Sequence, residues 1–182
     1  MQTDELYFLL KPFCKLGKVR GRITAQKMFY LLQSNGYPTH LDYFLHYYGP
    51  YSADLSSFLS HAATSKPPHL AEEALHVGTD AMRFDYTATE QAERLVSAFE
   101  EKALSAEDLD RADRFCALAG FLNSKSSTDL ELAATVLFFE NERGCGREAA
   151  IAKTRQMKPG KADEAHIHAA EEILRVVTEQ PA

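Results

Sequence analysis

A glycine and a proline stand side by side at positions 49 and 50, with tyrosines at 47, 48 and 51. This pair restricts the chain more than any other feature in it. Pro50 has a fixed φ and no amide hydrogen, and it biases Gly49 away from helix. A helix is not expected to run through that pair, which separates the apolar segment 41–48 from the helix that follows. Downstream, Ser52-Ala53-Asp54-Leu55 opens a helix expected over 52–62, with Leu55, Phe58 and Leu59 facing inward. Gly49 or Ser52 is the residue to cap it. Upstream, Leu41, Phe44, Leu45 and Tyr48 fit helical spacing, while Tyr43, Leu45 and Tyr47 fit alternation. Eight residues do not separate those two patterns.

Elsewhere the apolar steps are helical. They predict helices over 4–16, 24–35, 89–102, 105–123, 129–142, 147–156 and 161–179. Leu6, Leu9, Leu10, Phe13 and Leu16 form one stripe that stops at Gly17, and Pro12 within it is expected to kink the helix near Phe8. The second helix stops at Asn35-Gly36, with Met28, Leu31 and Leu32 inward and Ile23 joining them. Ser105-x-x-Asp108 and Thr128-x-x-Glu131 read as capping boxes. The second box opens a helix with Leu132, Val136 and Phe139 on one face, ended by Gly144-Cys145-Gly146. After the break at Lys66-Pro67-Pro68, Ala74–Val77 and Met82–Tyr86 flank a turn cluster, Gly78-Thr79-Asp80-Ala81, and predict a small hairpin. The expected fold is mainly α: a compact bundle of about seven helices with one small β-hairpin and a winged-helix-like head. Its 182 residues suit one domain. Within it we expect a helical recognition head at 1–65, a hairpin connector at 66–88 and an acidic helical part at 89–182.

Charge is unevenly spread. The net charge is −6, yet Lys11, Lys15, Lys18, Arg20, Arg22 and Lys27 fall in a window that holds no acid. A sequence pI near 5.6 argues against a protein that coats nucleic acid by charge alone. A basic patch on an acidic body stays open, as does a solvated loop edge. Cys14, Cys116 and Cys145 are far apart and odd in number, which fits reduced thiols and a cytoplasmic protein. The run Leu6–Leu10 is too short for a signal peptide, and no run reaches the ~18–20 apolar residues of a membrane span.

No catalytic or cofactor motif occurs: there is no HExxH, GxSxG, Walker loop or GxGxxG. No cysteine lies at ligand spacing from the seven histidines, and His166 and His168 would point about 200° apart on a helix. No cofactor, metal or enzymatic activity is therefore expected. Cys14 and Cys116 lie on apolar helix faces, where inert thiols are usual. The corner has two readings. It is a structural turn whose tyrosines bury their rings, or a pocket where a helix start meets an anion or a partner's carboxylate.

The residues also carry a resemblance. Ile23-Thr24-Ala25-Gln26-Lys27-Met28-Phe29-Tyr30-Leu31-Leu32 resembles the "LQKLxYLL" helix of the uncharacterised YwgA-like bacterial and archaeal proteins, with Thr24 and Ala25 departing from the Leu that usually precedes Gln-Lys. Tyr47 to Leu55 resembles their "YGPYSxxL" corner, and Thr128 to Phe139 their "ELELLATILFL" helix. More distantly, the chain is similar to the Panacea domain of SocA-like antitoxins, where a related "YGP" follows a related helix. The resemblance is sharp over about residues 20–60, reaches about 142 and fades beyond.

It implies a mainly helical, non-enzymatic protein-interaction module, antitoxin- or adaptor-like, that holds a toxin or a client delivered to a protease. The residues expected to meet that partner are Arg20, Arg22, Lys27, Tyr47, Tyr48, Pro50, Tyr51 and Ser52. A winged-helix DNA-binding regulator is the alternative. It requires real strands near 74–86 and basic residues on the exposed face of a recognition helix, and the 52–62 helix holds none. No membrane partner is expected, and self-association as a homodimer stays open.

Overall fold

The computed structural model describes residues 3–78, 81–102 and 104–179. In chain order its elements are α1 (Thr3–Leu16), β1 (Lys18–Val19), α2 (Arg22–Ser34), β2 (Phe44–His46), β3 (Gly49–Tyr51), α3 (Ala53–Thr64), β4 (Leu70–Val77) and β5 (Ala81–Ala88). Then follow α4 (Glu90–Lys102), α5 (Ala106–Asn123), α6 (Ser127–Arg143), α7 (Arg147–Met157) and α8 (Glu164–Glu179). The chain is mainly helical, with eight helices and two small antiparallel sheets among the described residues.

The larger sheet has the order β1-β5-β4. Lys18 and Val19 pair with Thr87 and Tyr86, and β4 pairs with β5 from Leu70–Ala88 to Val77–Ala81. With the β2–β3 hairpin inserted between α2 and α3, the order α1, β1, α2, α3, β4, β5, with the first strand closing on the last, follows winged-helix connectivity. The expected hairpin is present and longer than its sequence signal. Thr79 and Asp80, expected in its turn, lie outside the described residues. β4 is an edge strand carrying exposed Glu72, Glu73 and His76, charges that discourage pairing with another chain.

The 41–48 segment left open between helix and strand holds a short strand at Phe44–His46. β2 pairs with β3, Phe44 opposite Tyr51 and His46 opposite Gly49, leaving Tyr47-Tyr48 as a two-residue turn. The Gly-Pro corner is thus the returning strand of a hairpin. Pro50 is tolerated because a short two-stranded ribbon has an outer edge that needs no amide donor.

Helix α1 is continuous from Thr3 to Leu16 with Pro12 inside it. Several local expectations are corrected. Ile23 is exposed rather than core, because α2 begins at Arg22 and its first turn reaches solvent. From Thr24 to Leu32 α2 is buried on every side, so it is the central helix of the molecule, packed by α5, α6 and β3. The cap of α6 is Ser126, whose hydroxyl accepts from the Asp129 amide at 3.0 Å, not Thr128. Glu131 is thereby released from capping and buried. The Ser105–Asp108 box is present in full, and Gly144 ends α6 in the left-handed conformation.

Candidate functional site

The β2–β3 hairpin sits on α6 through one close approach. Gly49 has φ +80°, and a Cβ there would stand 2.5 Å from Thr135 Oγ1. Only glycine allows that backbone both its sign of φ and its proximity to α6. Thr135 is itself held by donating to the Glu131 carbonyl at 2.6 Å.

Beneath the hairpin lies a buried charge network. Lys27, 1% exposed, donates to the Pro50 carbonyl at 2.6 Å. Lys158 donates to the Tyr47 carbonyl and contacts Glu131 Oε1 at 2.6 Å. Lys161 reaches Glu131 Oε2 at 2.9 Å. Lys158-Pro159-Gly160-Lys161 is a turn closed by the Lys161 amide on the Lys158 carbonyl at 3.0 Å, which delivers both ammonium groups to one carboxylate. Burial pulls the Lys27 pKa down to about 7; Glu131 opposes this, and Lys158 and Lys161 add to it. Near neutral pH, Lys27 therefore holds its extra proton weakly, while an N–H still donates to the Pro50 carbonyl in either form.

The surface above that network is aromatic. Tyr47 is 70% exposed and Phe44 51%, with Tyr48 also exposed. Phe44 and His46 each lie 5.5 Å from the Tyr51 ring, and Tyr47 and Tyr48 meet edge to face at 5.1 Å. Lys158 and Lys161 stand 5.2 and 5.4 Å from the Tyr47 and Tyr48 ring centres.

The expected contact residues fall into two groups. Tyr47, Tyr48, Pro50, Tyr51, Ser52 and Lys27 gather at the hairpin, but only the tyrosines reach the surface. The start of α3 is closed rather than open to an anion. Ser52 caps it at Leu55, and the Ser52 amide and carbonyl are both bound by Gln26 at 2.8 Å. Arg20 and Arg22 lie elsewhere, on a groove of about 1080 Å³ between the start of α2, the wing and the α5–α6 connection.

Most of the basic window is neutralised by acids remote in sequence. Lys11 pairs with Glu100 and Asp113, Lys15 with Asp113, Lys18 with Glu73 and Asp85, and Arg22 with Glu72. Arg20 makes no ion pair among the described residues. The exposed positions of α3 are Ala53, Asp54, Ser57, Ser60, His61 and Thr64, without a lysine or arginine.

Sequence reasoning missed Glu131, Thr135, Lys158 and Lys161. The Lys-Pro-Gly-Lys turn was the one legible signal, since a tight turn brings two ammonium groups to one corner. Burial pushes the Cys14 and Cys116 thiols up to about 11 and about 12, so neither is a thiolate at neutral pH. Among the described residues no three His, Cys, Asp or Glu side chains converge as metal ligands, and no helix is long and apolar enough to cross a membrane.

No protein-family model matches the chain. It is 32% identical over 135 residues to the uncharacterized protein YwgA of Bacillus subtilis (strain 168), covering 72% of each chain. The chain belongs to the YwgA family. The YwgA relative carries no assigned activity in its name, so the site has to be read from its own geometry. In this YwgA-family chain that geometry is an aromatic knob on a charged, buried footing.

Proposed function

We propose that this YwgA-family protein is a non-enzymatic, cytoplasmic interaction module that binds a partner protein through the 20–60 head, in the manner of an antitoxin or adaptor. The observation that carries the reading is the exposed Tyr47-Tyr48 turn with two of its carbonyls held from below, Tyr47 by Lys158 and Pro50 by Lys27. Tyrosines on a fixed backbone bury large area at small entropic cost, which is why they dominate protein interfaces. The antitoxin-like form of this reading rests on the sequence resemblance of the Ile23–Leu32 helix and the Tyr47–Leu55 corner to the Panacea domain.

The test is co-expression with the products of neighbouring genes, scored by growth and by co-purification. A toxic neighbour should be neutralised by the natural chain and not by a Tyr47→Ala, Tyr48→Ala variant that keeps its circular dichroism and Tm. Neutralisation that survives both substitutions, or the absence of any interacting neighbour product, would overturn the reading.

The DNA-binding alternative is favoured by the winged-helix connectivity and opposed by α3, whose exposed face offers phosphates no cation. Titration with short duplex DNA is expected to show no salt-dependent binding.

A further inference from the structure

The groove beside the wing shares no lining residue with the aromatic hairpin. Its composition is one-sided. Lys18, Arg20, Arg22, Arg83 and Lys125 line it, and among the described residues no aspartate or glutamate does, although the chain as a whole is acidic. Three of these cations are fixed from behind: Lys18 by Glu73, Arg22 by Glu72, and Arg83 by Asp85 at 2.7 Å. Two have no carboxylate among the described residues. Arg20 stands exposed, and Lys125 rests over the Phe121 ring at 4.2 Å. Ile23, Val77 and Met82, all exposed, line the same groove and give it an apolar component.

We infer that this groove binds an acidic amphipathic segment of a partner protein, its carboxylates meeting Arg20 and Lys125 and its apolar side chains covering Ile23, Val77 and Met82. Charge complementarity selects the sign of the occupant, and the apolar component selects its kind. A nucleic acid fits less well. Phe84 is the one ring among the described lining residues, and the Arg22 guanidinium 4.7 Å away already occupies one of its faces, in competition with any stacking base. Glu72 and Glu73 on the neighbouring strand would also repel a phosphate backbone. An acidic segment needs only two or three carboxylates placed over the cations and can turn its neutral residues toward those glutamates.

The probe is a dye-labelled 16-residue peptide of glutamate and leucine in an amphipathic helical repeat, titrated into the full chain by fluorescence anisotropy. Controls are the same peptide with lysine for glutamate and a thymidine 12-mer. The acidic peptide should bind, and raising salt should weaken it several-fold. An Arg20→Glu, Lys125→Glu variant should weaken it by about tenfold, and Met82→Ser by a few-fold. The Tyr47→Ala, Tyr48→Ala variant should bind it unchanged, which keeps this test separate from that of the hairpin. No binding of the acidic peptide overturns the inference. So does equal binding of the lysine peptide, affinity indifferent to the Arg20 and Lys125 reversals, or tighter binding of the oligonucleotide.

Discussion

Gly49 concentrates the constraints on the hairpin into one position. An alanine there would hold a left-handed φ and place its methyl group 2.5 Å from Thr135 Oγ1. The backbone strain and the collision together should cost about 3 kcal/mol. Thr135→Ala removes the oxygen but not the strain, so the double variant should recover part of the loss. Urea unfolding of the four proteins measures this, and strictly additive losses would show that the two sites are not in contact. That glycine could be marked from the sequence because a Gly-Pro pair fits a helix poorly. What it packs against could not, since Thr135 lies 86 positions later and nothing local to either residue names the other.

At the level of elements, the start of α6 separates two readings of one polar run. Ser126, Ser127 and Thr128 all offer a hydroxyl, and two of the three have an acid three residues on. In the structure Ser126 caps, its hydroxyl meeting Asp129 Oδ2 at 2.6 Å as well as the Asp129 amide. Ser126→Ala should therefore lower stability by about 1 kcal/mol, and Thr128→Ala by less than about 0.5, in thermal or urea unfolding. Helices closed by strong stops, such as α2 at Asn35 and α6 at Gly144, were legible because both signal and consequence are local. The strands were less so. β1 is two residues long and exists only because Thr87 and Tyr86 lie opposite it. The alanines and glutamates of β4 have poor strand propensity and are held by pairing with β5. For the candidate site the aromatic surface was readable and its footing was not, because Lys158 and Lys161 come from the far end of the chain.

Across the whole molecule, Lys27 couples the central helix to the hairpin, to α6 and to the turn before α8. Its ammonium faces Glu131, Lys158 and Lys161, and its folded pKa of about 7 lies below the ordinary 10.5. Between those values the unfolded chain binds a proton that the folded chain does not. Stability should rise with pH across that window, by at most about 1.4 kcal/mol per pH unit, and this contribution flattens below pH 7 where both states are protonated. Lys27→Met should abolish that rise, so the stability difference between the two chains should shift in favour of the natural chain from pH 7 to 9 in urea unfolding. Parallel profiles would show that Lys27 is charged in the native state. The pairing of early cations with later carboxylates bears on how the protein can be dissected. A fragment of the first 65 residues would expose α2 where α5 and α6 now cover it, and would carry Lys11, Lys15, Lys18 and Arg22 without Glu72, Glu73, Glu100 or Asp113. Such a piece would cling to DNA or to any polyanionic resin, and that adhesion would be a property of the cut rather than of the protein.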